Sequence, residues 1–207
     1  MPRRVGRRAA IAALVGACAD TRGVRPAARV LREGEDGSGN LLRWLGTIVM
    51  EAEGTAGLSG LHVAEDLTLH AVTDIGRWFR ARLVLGADGA PLGLEDVAGG
   101  ALRDPLGRRL GRGVEGDAEC LAALPDGGWL VGFERAHRIW RYPRLDGPAE
   151  VVESPPGLDD APYNGGLEAL AVLSDGRWLA VAERLVPQRG VRATARPGSA
   201  GRADGAR

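Results

Sequence analysis

The chain has 207 residues, 44% of them hydrophobic, with 27 basic and 27 acidic side chains and a formal net charge of zero. That length suits one globular domain, and the balanced charge argues against a nucleic-acid partner. Two cysteines, Cys18 and Cys120, and three scattered histidines, His62, His70 and His137, make neither a disulfide framework, a zinc site nor a Ser-His-Asp triad.

Residues 1–18 read as an export leader. Arg3, Arg4, Arg7 and Arg8 form a basic start, and Ala9–Ala17 is an apolar run too short to span a bilayer. Val15-Gly16-Ala17-Cys18 resembles a lipobox, with Cys18 as the lipidated residue; paired arginines also suit twin-arginine export. The expectation is a periplasmic protein, or one tied to the envelope by a lipid on Cys18 and by no other membrane contact. Residues 19–40 are a polar linker, and Leu41–Met50 reads as a strand.

From residue 41 to 185 the pattern is strands and turns. Cys120–Leu124 and Trp129–Phe133 flank Pro125-Asp126-Gly127-Gly128, a strong hairpin signal. Leu167–Arg184 repeats it around Asp175-Gly176, and Leu58–Gly76 is a weaker copy. Anchored on Leu61, Leu121 and Leu170, the copies place Leu69, Trp129 and Trp178 at one shared offset and Asp74, Glu134 and Glu183 at another. Trp78–Leu85 and Arg138–Tyr142 follow as third strands, Pro91–Val97 and Ala149–Glu153 as fourth ones. The expected fold is all-β, with propeller-type blades of four antiparallel strands, about two and a half of them. Gly99–Gly116 and Pro155–Gly165 read as solvated connections. Residues 186–207, rich in Arg, Ala, Gly and Pro, read as a disordered or out-of-frame tail, and the propeller as a fragment of a longer one.

The chemistry gathers where each hairpin's first strand begins and its second ends. With Asp-Gly as the two turn residues, Glu119 faces Glu134, Glu168 faces Glu183, and Ser59 faces Asp74. Like charges opposed on a sheet repel, so something must offset them. A hard cation such as Ca²⁺ held by Asp74, Glu119, Glu134, Glu168 and Glu183 is one solution. Ion pairs to Arg77, Arg138 or Arg184 are another, and a shared proton with one raised pKa is a third. Asp117 and Asn164 precede the Glu-bearing strands and offer further oxygens. Trp129 and Trp178 read as packing, and Cys120 as a small core residue.

GLSGL (Gly57–Leu61), TDIGRWFRARL (Thr73–Leu83), DAECLAALPDGGWLVGFER (Asp117–Arg135), RIWRY (Arg138–Tyr142) and NGGLEALAVLSDGRWLAVAE (Asn164–Glu183) together resemble the phytase-like family of secreted bacterial proteins. The resemblance implies a β-propeller with an esterase-like activity on phosphoric or related esters, similar in kind to the Ca²⁺-dependent propeller phytases. Members often carry Gly after the first-strand Glu, where this chain has Cys120 and Ala169. On this reading the substrate is a small anionic ester. Glu119 and Glu168 serve catalysis, and Arg77 or Arg138 binds the anion. The competing reading is a propeller that binds a ligand or a protein on its rim without catalysis.

Overall fold

A computed structural model describes residues 45–50 and 56–184. The leader with Cys18, the linker 19–40 and the tail 186–207 lie outside the described residues. Ten strands follow one another: β1 Leu58–Val63, β2 Thr68–Thr73, β3 Arg77–Leu85, β4 Pro91–Ala101, β5 Ala118–Ala123, β6 Trp129–Phe133, β7 Arg138–Tyr142, β8 Glu150–Val151, β9 Leu167–Val172 and β10 Trp178–Ala182. They make three antiparallel sheets, ordered β1-β2-β3-β4, β5-β6-β7-β8 and β9-β10. These are two four-stranded propeller-type blades and the inner hairpin of a third.

Strand alternation gives each blade two faces, and the core is the stack of those faces. Ala71, Phe79 and Ala81 point to one side of the first blade, where Ile48 and Met50 also pack. Val72 and Trp78 point to the other, against Leu121, Val131, Phe133 and Tyr142 of the second blade. The second blade's opposite face offers Cys120, Ala122, Leu130 and Ile139, which meet Leu167, Leu170 and Trp178 of the third. Fully buried side chains such as Phe133 and Leu130 each contribute about 1.5–3 kcal/mol by leaving water.

Each hairpin turns on three residues, not the two expected from the Asp-Gly pairs. Leu124 N–H donates to Gly128 O at 2.8 Å and Gly127 N–H to Leu124 O at 3.0 Å, with Gly127 at φ 85°. Ala64–Thr68 and Leu173–Arg177 close in the same way. Asp66, Asp126 and Asp175 each accept the backbone N–H two residues on, at 2.9–3.0 Å. This is a type I turn followed by a left-handed residue. It moves the register by one from the expected pairing.

Three other expectations change. The fourth strands run Pro91–Ala101 and Glu150–Val151. Residues 45–50, the described part of Leu41–Met50, form no strand and lie against the first blade. The 99–116 connection is not simply solvated. Gly99–Ala101 extend β4, and Leu102 is fully buried. The buried Asp104 carboxylate accepts from the N–H groups of Leu106 and Arg108, both at 2.9 Å, which ties the loop down.

Candidate metal centre

The acidic end of the hairpins is built by a bulge. In β5 the pairing steps from Cys120↔Gly132 to Ala118↔Phe133, which leaves Glu119 as the extra residue. In β9 it steps from Ala169↔Val181 to Leu167↔Ala182, which leaves Glu168. In β1 the irregularity falls at Ser59-Gly60. A bulged residue is unpaired and its side chain is re-aimed. Across the strands, Glu134 N–H therefore donates to Asp117 O (2.8 Å), Glu183 N–H to Gly166 O (2.9 Å) and Asp74 N–H to Gly57 O (2.9 Å). The expected opposition of Glu119 to Glu134, of Glu168 to Glu183 and of Ser59 to Asp74 is thus replaced by Asp117, Gly166 and Gly57 in those places.

The carboxylates nevertheless converge. Asp117, Glu119 and Glu134 each bring an oxygen within 4.8 Å of the others, and so do Glu134, Glu168 and Glu183. Glu134 belongs to both groups, and its Oε1 accepts the Gly166 N–H at 3.1 Å. Asp74 stays outside both, folded over Gly57, where a Cβ would meet its Oδ1 at 1.8 Å. Ser59 donates to Gly57 O at 3.0 Å.

Of the expected arginines, Arg138 is engaged elsewhere. Its guanidinium stacks over Phe133 and Trp140, 4.0 and 4.1 Å from the ring centroids. It also donates to the carbonyls of Ala136 and Glu115. Arg77 sits at the matching place in the first blade, paired to Thr73 as Arg138 is to Phe133, and makes no ion pair among the described residues. Arg184 Nε lies 3.4 Å from Glu183 Oε1.

The guanidinium inside the cluster is one that the sequence reading passed over. Arg135, held left-handed at φ 57°, brings Nε to 2.8 Å from Asp117 Oδ2. His137 is another. Its Nε2 donates to the Pro162 carbonyl at 3.0 Å, and its buried Nδ1 faces Gly166 without a partner. The usable signal for Arg135 was the Glu-Arg pair that ends the second strand in two copies, at Glu134-Arg135 and Glu183-Arg184.

Electrostatically the cluster is short of positive charge. Five carboxylates meet two guanidiniums, those of Arg135 and Arg184. Burial, with the negative charges of Asp117, Glu168 and Glu134 behind it, pushes the Glu119 carboxyl up to about 7. Burial also raises Asp117, against the pull of Arg135 and with the push of Glu134 and Asp74. Glu168 is raised by burial and then by Glu134 and Glu183. Asp117 is fully buried; Arg135 faces its Oδ2, and its Oδ1 has no hydrogen-bond donor. Buried acceptors without donors are costly. Anionic oxygens gathered this closely, with orphaned lone pairs, fit a hard cation, so the carboxylate clusters can bind a metal ion.

Fold and site together define a propeller-type protein with an acidic, metal-competent end to its hairpins. The chain belongs to the phytase-like family, described as having the esterase-like activity of phytase, whose sequence model matches residues 53–206. No curated protein matches the sequence.

Proposed function

We propose that this protein hydrolyses a phosphoric or related anionic ester with the help of Ca²⁺ held by the shared carboxylate cluster. The observation that carries the reading is the pair of three-carboxylate groups joined through Glu134, with the buried Asp117 Oδ1 lacking a donor. Asp117, Glu119 and Glu134 would hold the ion on one side, and Glu134, Glu168 and Glu183 on the other. When bound, Ca²⁺ supplies a Lewis acid that polarises the ester and makes water a better nucleophile.

The chain's own groups do the remaining work. Gly166 N–H and the backbone bulges hold Glu134, Glu119 and Glu168 in place. Glu119 titrates near neutrality, so taking up the ion displaces a proton from it. Arg135 spends its Nε on Asp117, which leaves its terminal N–H groups for an anion in the fork geometry that suits phosphate. We assign the anion to Arg135 ahead of Arg77 and Arg138, because it stands beside the carboxylates. The reading includes export through the basic and apolar leader, with Cys18 as the point of lipid attachment.

The test is turnover of p-nitrophenyl phosphate by the purified full chain, with and without Ca²⁺. Calcium-dependent release of nitrophenol, lost in the Glu119→Ala, Glu168→Ala double variant, is expected. Turnover that survives both changes would place the chemistry elsewhere. Calcium binding without turnover of this or other esters would favour the rim-binding reading.

A further inference from the structure

At the other end of the second blade's strands, away from the acidic cluster, a cleft of about 380 Å³ opens between the first and second blades. That size falls in the range of small-molecule sites. Elsewhere this interface is apolar, but one row across the first blade, His62↔His70↔Arg80↔Ala98, carries polar side chains toward the second. Polar groups pointed between blades need partners. One of these has none: the His70 Nδ1 is buried without a hydrogen bond; the Arg80 guanidinium is exposed.

The walls are aromatic and fixed. The Trp129 ring is packed by His70, with centroids 4.3 Å apart. The Trp78 ring lies on the Gly100 backbone, where a Cβ would come within 3.0 Å of its Nε1. Ala98 and Gly127 line the space without filling it. The charge is uneven: Asp146 takes a two-pronged pair from Arg144 at 2.9 and 2.7 Å and also feels Arg80, so two guanidiniums face one carboxylate. Both metal-competent groups among the described residues lie at the other end. The site is therefore cationic and aromatic.

We propose that this inter-blade cleft is a second binding site, for a small anion that carries a flat ring. The ring lies against Trp129 and Trp78, and the anionic group meets Arg80. Arg80 and Trp78 come from the first blade and Trp129 from the second, so the site exists only where the blades are packed. It is independent of the acidic cluster and of whether that cluster is catalytic.

Phenylphosphonate, which resists hydrolysis, is the probe. The full chain is titrated with it while the indole N–H signals are followed in ¹H–¹⁵N spectra. The Trp78 and Trp129 signals, assigned by Trp→Phe changes, are expected to shift and saturate. Arg80→Gln should weaken binding at least tenfold, and the Glu119→Gln, Glu168→Gln double variant should leave it unchanged. Ala98→Leu, which fills the cleft without touching a charge, should abolish it. Equal binding of inorganic phosphate would overturn the ring's part, and equal binding of benzyl alcohol would overturn the charge. Shifts that are absent, or that persist in both Arg80→Gln and Ala98→Leu, would overturn the site.

Discussion

The first and second hairpins have the same backbone and different chemistry. Both close on a three-residue loop stapled by an Asp, at Asp66 and Asp126. Both bulge two residues before the anchor leucine, at Ser59 and Glu119. Yet the first places Ser59 and a lone Asp74 at its acidic end, with the carboxylate folded over Gly57. The second places Asp117, Glu119 and Glu134 there, and shares Glu134 with the third. The frame that aims a side chain is thus common to the repeat, and the side chain placed on it decides whether a hairpin is support or site. In the first blade the bulge serves contact instead. Gly60 presses on the second blade so closely that a Cβ would lie 2.7 Å from Leu121 N and 2.9 Å from Cys120 C.

If that contact is what the first bulge is for, filling it should produce the largest effect. Gly60→Val meets backbone, which cannot step aside, so a loss of about 3 kcal/mol is expected by urea denaturation, the upper end of ordinary overpacking. Gly111→Ala, where an added Cβ meets nothing within 4 Å, should stay within about 0.5 kcal/mol. A mild Gly60→Val would mean that the blades are not pressed together there.

Metal binding separates the two hairpins next. Calcium at about a hundred times its dissociation constant should stabilise the protein by about 2.7 kcal/mol, read as a rise in Tm. Asp117→Asn should remove most of that rise and Asp74→Asn little of it. Equal losses would put the first blade inside the site.

The pH dependence sharpens the same contrast. Glu119 rises from 4.5 to about 7 on folding, so between those values the native state binds more protons than the unfolded chain. Stability therefore falls as pH rises through that window. Asp117 and Glu168 are also raised and act in the same direction. In metal-free buffer, denaturation midpoints should decline from about pH 4.5 to 7, with Glu119→Gln flattening much of the slope and saturating Ca²⁺ flattening it further. A midpoint that rises with pH across the window would mean that the cluster is not strained by its own charge.

The repeat was legible because loop, anchor and acidic positions recur at fixed offsets, and from these came the blades and the acidic end. The pairing inside each hairpin was not. Asp126-Gly127 fits a two-residue turn as well as the second and third residues of a three-residue one, and only the backbone shows Gly127 in the left-handed place. The bulges at Glu119 and Glu168 then correct the drift, so the carboxylates still meet although their cross-strand partners differ. Arg135 was hidden for a similar reason. Its reach to Asp117 depends on a left-handed φ that an Arg in a sequence does not announce. Arg138, which did look available, is taken by Phe133, Trp140 and two carbonyls.

The smallest effect concerns the loop itself. Leu67, at φ 67°, occupies the left-handed position that glycine fills as Gly127 and Gly176 in the other hairpins. A side chain there costs about 1–2 kcal/mol relative to an unstrained backbone. Leu67 is also half-buried, and removing it gives back part of that gain. Glycine further loosens the unfolded chain, by about 0.4–1 kcal/mol. Leu67→Gly should therefore change stability by no more than about 0.5 kcal/mol either way, whereas Gly127→Leu should destabilise the protein, because the strain arrives with no buried contact to offset it: an added Cβ at Gly127 meets nothing within 4 Å. The pair is best measured together by thermal unfolding. If Leu67→Gly instead lowers Tm as much as Gly127→Leu does, the Leu67 side chain is holding the first hairpin in place, and the weaker copy of the repeat is weak only in its sequence.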